Sequence, residues 1–389
     1  MKKIAFVVQR YGLEVNGGAE LQCRQLAEHM SKYYDTEVIT TKAIDYVTWK
    51  DEYRQDIERI NGVLVRRFSV KEPRNNARFN KLSATVLQGN STCEKEEEWM
   101  CKQGPYSPEL VDYLKNHKDD YDVFIFCTYL YYTTYFGLRE VYDKAILIPD
   151  AHDETPIHLG IFDAMFKLPR AIYYNSKEEK RFVENKFLVK DIPNNGGFGG
   201  VGIELPSDIS AQRFAQKYKL DHFILYIGRI EEHKGCKRLF DYFDEYKRRN
   251  GGDLKLVLMG KEIMSVPERK DIINLGFVSE EDKFDGLAAC KMLVLPSQFE
   301  SLSIVVLEAM KSQKPVLVHE KCEVVKGHCL RSNGGLYYRN YLEFEGCVNY
   351  LLEHEDVAVG MGKNGLKYVD KNYCWDTLEK GLSQLIEKI

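Results

Sequence analysis

The chain has 389 residues, of which 44% are hydrophobic, 29% charged and 12% aromatic, enough for two or three domains with cores of their own. Lys and Arg number 55 against 59 Asp and Glu, and the halves on either side of Gly200 are each close to neutral, which excludes a polyanion-binding tail and a dedicated nucleic-acid domain. Ten cysteines are scattered without a C-x-x-C pair, and apolar runs are no longer than strands, so a cytoplasmic protein with reduced thiols and no signal peptide or spanning helix is expected.

Ile4-Ala5-Phe6-Val7-Val8 reads as a strand buried on both faces of a parallel sheet. Asn16-Gly17-Gly18-Ala19-Glu20 then opens a helix with Leu21, Leu26, Ala27 and Met30 on one face. Glu37 to Thr41 and Val63 to Phe68 are the next strands. Arg66, Arg67, Lys71, Arg74, Arg78 and Lys81, interleaved with Phe68 and Phe79, form a basic stretch with only Glu72 as an acid. It reads either as a solvated loop or as a contact with anionic lipid or a lipid-linked diphosphate. The acidic run Glu94 to Glu98 falls in a segment predicted to be irregular, a mobile lid or a solvated loop.

Ser107-Pro108-Glu109 starts a helix that reaches Asn116. Tyr121 to Cys127, Ala145 to Pro149 and Ala171 to Tyr174 repeat the buried-strand signature. Tyr129, Tyr131, Tyr132 and Tyr135 would either line a cleft or pack beneath the sheet. A glycine-rich stretch from Asn194 to Gly202 then marks a hinge. Within it, Gly197-Phe198-Gly199-Gly200-Val201-Gly202 has the form G-x-G-x-x-G, yet Pro193 precedes it and Ile203-Glu204-Leu205-Pro206 is no helix start, so a dehydrogenase fingerprint is rejected.

The second half restarts the rhythm. Strands are expected at Phe223 to Ile227, Leu254 to Met259, Met292 to Leu295 and Pro315 to Val318. Helices are expected at Cys236 to Arg249, Ser279 to Ala289 and Leu302 to Ser312. The result is an α/β protein of two Rossmann-like, doubly wound parallel-sheet domains facing a central cleft, over residues 1–200 and 201–374. A final helix, 375–389, would cross back to the first domain.

In such sheets ligands bind beyond the carboxyl ends of the strands, so three loops stand out. Gly17-Gly18 at a helix start suits either an anion near backbone N–H groups or simply a tight turn. Arg229 and Lys234 flank a loop that opens a helix, where acids are preferred, which makes sense if an anion such as a diphosphate lies between them; surface solvation is the alternative. Pro296 to Ala309 carries Glu300 and Glu308, with Ser301 or Ser303 as the cap of a helix whose core face holds Leu302, Val305, Val306 and Ala309. Eight residues at ~1.5 Å each would separate the two acids by about 12 Å, which suits the ends of one elongated ligand better than paired acid–base work. Alternatively Glu308 is an ion-pair partner and Glu300 a capping acid.

Taken together, Gly17-Gly18-Ala19-Glu20, Gly228-Arg229 with Lys234-Gly235, and Glu300 with Glu308 in an E-x7-E pattern resemble the retaining nucleotide-sugar glycosyltransferases of the GT-B fold. The resemblance implies that Arg229 and Lys234 clamp the diphosphate and Glu308 holds the ribose hydroxyls. It also implies that Glu300 contacts the transferred sugar and that Ser301-Leu302-Ser303 covers the phosphates. His152, in Asp150-Ala151-His152-Asp153, matches the family's cleft histidine. The donor would be a nucleotide diphosphate sugar, with UDP favoured, and the acceptor a glycan or lipid-linked glycan of surface polysaccharide or glycolipid synthesis. The protein would work in the cytoplasm, in part at the inner membrane face.

Two features depart from the family pattern: a long glycine stretch replaces its usual interdomain turn, and Gly260-Lys261-Glu262 lacks a second glycine. No D-x-D follows a strand, so neither an essential metal nor another cofactor is expected. A nucleotide-sugar 2-epimerase and a non-catalytic partner subunit of the same fold are the rival readings.

Overall fold

A computed structural model describes residues 1–15, 17–190, 192 and 197–389. The chain forms two units, Met1–Val201 with Asp376–Ile389, and Gly202–Trp375. Each is built on one sheet sandwiched by helices.

The first unit holds β1 (Lys3–Val7), β2 (Asp35–Thr41), β3 (Ile57–Ile60), β4 (Val63–Phe68), β5 (Val123–Cys127), β6 (Ala145–Ile148), β7 (Ala171–Tyr174) and β8 (Gly197–Phe198). Their order is β3-β4-β2-β1-β5-β6-β7-β8. Only β3, antiparallel to β4, breaks the parallel arrangement. Asn61 and Gly62 join that pair with φ of 47° and 88°, the left-handed two-residue turn that suits a hairpin's twist. β5, β6 and β7 are buried along their whole length, as continuous apolar runs require.

The second unit holds β9 (Phe223–Ile227), β10 (Lys255–Met259), β11 (Ile272–Asn274), β12 (Met292–Leu295), β13 (Val316–His319) and β14 (Gly335–Tyr338). They are wholly parallel in the order β11-β10-β9-β12-β13-β14. The winding direction therefore reverses between β9 and β12, and in the first sheet between β1 and β5. Connections on the two sides of such a point run to opposite faces and leave a crevice at the strands' carboxyl ends.

The last segment is tied to the first unit. Glu379 accepts hydrogen bonds from Lys32 Nζ and Tyr33 Oη and lies 2.5 Å from His29 Nδ1, while Lys2 Nζ donates to the Ile386 carbonyl. The two points where the chain passes between units are neighbours: Ile203 N donates to Tyr373 O, and a Cβ on Gly202 would sit against the Trp375 ring.

Several expectations need correction. The acidic run is not irregular: Cys93–Gln103 is a helix, capped by the Thr92 hydroxyl, with Glu96, Trp99, Met100 and Gln103 on its buried side. The basic stretch is not one surface feature either. Arg67 is buried, paired with Glu58 and stacked on Tyr53, and Arg66 pairs with Glu37. Arg74 lies between Trp49 and Phe79 and donates to the Tyr46 and Gln103 carbonyls. Strand pleating turns the first two toward partners inside the unit, which leaves Lys71, Arg78 and Lys81 exposed.

Tyr129, Tyr132 and Tyr135 pack in the core instead of lining an opening. Of the predicted hinge, Asn194 to Gly196 lie outside the described residues, whereas Gly197–Phe198 is the edge strand β8 paired with β7. No helix follows it directly, in keeping with the rejected fingerprint.

Candidate functional site

In the second unit the loops after β9 and β12 leave adjacent strands at the reversal point. They are pressed together at Gly235, which has φ 78° and whose absent Cβ would lie 2.5 Å from the Pro296 carbonyl oxygen. Only glycine meets both demands. Tyr226 Oη braces the first loop from below by donating to the Arg229 carbonyl at 2.7 Å.

This packing brings Lys234 and Glu300 together: Nζ donates to Oε1 at 2.9 Å, with both side chains largely buried. Arg229 is more open and lies 3.2 Å from Glu231. Glu308, three-quarters of a turn short of the end of helix Ile304–Lys311, accepts from Lys283 Nζ at 2.8 Å and is buried. Burial raises its carboxyl above the usual range, against the pull of Lys283.

The helix starts at Ile304 and not at Leu302, so Glu300 stands in the loop and the axial separation of about 12 Å inferred for a shared helix does not apply. Nor does a serine cap it through its side chain. Ser303 occupies the cap position in a left-handed conformation, φ 63°, and its buried hydroxyl has no hydrogen-bond partner. Ser301 is half-buried, and Leu302 is buried in the loop, not on the helix.

His328, which sequence reasoning missed, explains this shape. It is fully buried, with Nε2 2.9 Å from the Leu302 carbonyl and Nδ1 3.0 Å from Tyr368 Oη. A carbonyl only accepts, so Nε2 carries the proton. Because C=O and N–H of one trans peptide point in opposite directions, this bond also turns the Ser303 N–H away from His328.

Gly17, Gly18 and His152 belong to the first unit. Gly17 has extended backbone at the start of helix Gly18–Met30, and the space its Cβ would occupy is taken by the Glu20 carboxylate. Glu20 is held by Gln9 Nε2 at 2.8 Å and Arg10 at 2.5 Å, so the helix start already faces an internal anion. Gly18 faces open space, and Asn16 lies outside the described residues. His152 Nε2 is 3.5 Å from Glu154 Oε2.

Beside His152, Asp150 was named only as a neighbour and proves the more constrained residue. It has φ 52°, accepts from Asn175 Nδ2 at 2.6 Å and Thr128 Oγ1 at 3.0 Å, and is pushed up to about 6 by burial. A non-glycine residue in this conformation at a strand's carboxyl end is a hallmark of stored local strain. Among the described residues no cluster of three or more His, Cys, Asp or Glu is placed to hold a metal ion, and no helix is long and apolar enough to cross a membrane.

Two doubly wound units of this connectivity define the GT-B class of fold, and solved structures bear this out. Sucrose-phosphate synthase from Thermosynechococcus elongatus superposes with a TM-score of 0.72 at 16% identity, over 100% of this chain and 99% of that one. Anabaena HepE in complex with UDP and glucose gives 0.70 at 16% identity, covering 100% of both chains. WaaG, a glycosyltransferase involved in lipopolysaccharide biosynthesis, gives 0.65 at 13% identity, over 98% and 99%.

Residues 208–368, nearly all of the second unit, match the family described as Glycosyl transferases group 1, and this unit is a domain of that family. The chain is 30% identical over 127 residues to alpha-D-kanosaminyltransferase of Streptomyces kanamyceticus, covering 29% of this chain and 33% of that protein. An uncharacterized glycosyltransferase of Methanocaldococcus jannaschii is 27% identical over 173 residues, covering 41% and 43%. The matched chain spans less than half the length of each of these curated relatives.

Proposed function

We propose that the protein is a retaining glycosyltransferase that moves a sugar from a nucleotide diphosphate sugar, with UDP as the favoured nucleotide, to a glycan or lipid-linked acceptor of surface polysaccharide or glycolipid synthesis. The observation that carries this reading is the Lys234–Glu300 pair at the crevice between β9 and β12, with Arg229 on the same loop. UDP is the nucleotide held by the structurally similar HepE, which supports the choice of base.

Breaking the bond between the anomeric carbon and the distal phosphate oxygen sends the electron pair onto the leaving diphosphate and leaves oxocarbenium character on the ring. Lys234, Arg229 and the N–H groups before helix Ile304–Lys311 neutralise the first charge without a protein-bound metal. Glu300, released from Lys234 as phosphate takes its place, positions the sugar and stabilises the second. The acceptor hydroxyl attacks from the leaving group's face, and a phosphate oxygen takes its proton. His152 is assigned with Glu300 to catalysis, Gly17, Gly18 and Glu308 to donor binding, and Ser301 to Ser303 to the donor's phosphates. The reaction is placed in the cytoplasm, at a membrane surface where the acceptor is lipid-linked.

A panel of nucleotide sugars, followed by release of nucleoside diphosphate, tests the reading. Lys234→Ala is expected to lower turnover of the accepted donor by about 100-fold or more, with an unchanged thermal midpoint. Near-normal turnover in this variant would refute the clamp. Failure of the wild-type protein to bind any nucleoside diphosphate would favour the non-catalytic partner instead.

A further inference from the structure

We propose that Lys283 is a positioning residue for the nucleotide site: it fixes the Glu308 carboxylate so that one oxygen is held by the protein and the other is left for a vicinal diol. This rests on the reading of Glu308 as a ligand of the donor's ribose. Lys283 lies on helix Glu280–Ala289, 25 residues before Glu308, and nothing in the E-x7-E pattern includes it.

The geometry is specific. Lys283 Nζ donates to Glu308 Oε1 at 2.8 Å, and the two side chains are 13% and 10% exposed. The other charged partner of the ammonium is Glu280, at 2.9 Å but 76% exposed, and the ammonium lies over the Phe284 ring, 4.4 Å from its centroid. An ion pair with a solvated acid is weak. The bond to Glu308 is therefore the one that fixes both groups.

Glu308 Oε2 has no protein donor among the described residues. A buried carboxylate with one oxygen committed and one open accepts a further donor at a fixed angle, and a ribose 2′,3′-diol supplies it. Lys283 also favours the ionised form of that acid. Burial raises the Glu308 carboxyl, and the charge of Lys283 opposes the rise. Without the ammonium, nothing holds Glu308 Oε1, the carboxyl is free to rotate, and the selectivity for hydroxyl-bearing ribose is lost. The facing charges that bear on this titration are Lys283 and Glu280.

The test is calorimetric binding of UDP and of 2′,3′-dideoxy-UDP to the full-length wild type, Lys283→Met, Lys283→Arg and Glu280→Gln. The wild type is expected to prefer UDP by about tenfold or more, the worth of a hydrogen bond to a charged group. In Lys283→Met that preference should fall below about twofold. Lys283→Arg and Glu280→Gln should keep it.

A purely structural role would weaken both ligands alike, so a wild-type preference that survives in Lys283→Met overturns the assignment of Lys283 alone. Absence of binding of UDP and of every other nucleoside diphosphate to the wild type overturns the nucleotide-sugar reading, and this assignment with it.

Discussion

At the scale of single residues, the second unit depends on histidine in an unexpected place. His328 is neutral, with its proton on Nε2 toward the Leu302 carbonyl, and burial pushes it down to about 4. In the unfolded chain it would titrate at an ordinary value near 6.5. A base whose folded value is depressed contributes stability that is complete above the unfolded value and disappears as pH falls toward the folded one. His328 should therefore make the protein lose stability between about pH 6.5 and pH 4, at up to about 1.4 kcal/mol per pH unit.

Other groups titrate in the same window. His319 is likewise pushed down to about 4, while Asp150, pushed up to about 6, acts in the opposite direction. Comparison with His328→Gln isolates the contribution. Chemical denaturation at intervals from pH 7 to pH 4 is expected to give the variant a shallower decline than the wild type. An equal slope would show that His328 binds its proton equally in the folded and unfolded chains. None of this was legible in the sequence, where His328 stands between Gly327 and Cys329 with no pattern around it. Its role arises from contacts with a loop 26 residues earlier and a tyrosine 40 residues later.

At the scale of elements, the strands were the most readable part of the chain. Ala171–Tyr174, Phe223–Ile227 and Met292–Leu295 have the predicted limits, because a strand covered on both faces needs an unbroken apolar run and little else there looks like one, and Val63–Phe68, whose burial alternates, has them too. β3 was missed although Asn61-Gly62 signals a hairpin, since Ile57-Glu58-Arg59-Ile60 on an edge carries charge where a central strand would not. Helix Cys93–Gln103 was missed because its charge hid the spacing of Glu96, Trp99, Met100 and Gln103, which marks one face.

The contact between the loops after β9 and β12 belongs to this scale too. The motif Lys234-Gly235 was readable, but the reason for the glycine was not, since it lies in the Pro296 carbonyl 61 positions away. Gly235→Ala adds a left-handed penalty of about 1–2 kcal/mol to a clash with backbone. The expected result is a thermal midpoint lower by several degrees and weaker binding of UDP, because Lys234 and Glu300 are held at 2.9 Å by this approach. Unchanged binding alongside a lower midpoint would separate the loop contact from the site.

At the scale of the whole molecule, the second unit is one uninterrupted run of chain, whereas the first is stitched from both ends. Leu378, Leu382, Leu385 and Ile386 of the last helix are buried, and Glu379 gathers His29, Lys32 and Tyr33. Genetic dissection should therefore be asymmetric. Residues 202–375 produced alone are expected to unfold in a single sharp transition, while residues 1–201 alone should expose the surface their C-terminal helix covers and aggregate. A synthetic peptide of residues 376–389 added in trans should restore a monodisperse species by light scattering, which makes the carboxyl terminus a detachable clasp whose loss by proteolysis would strike the amino-terminal half first.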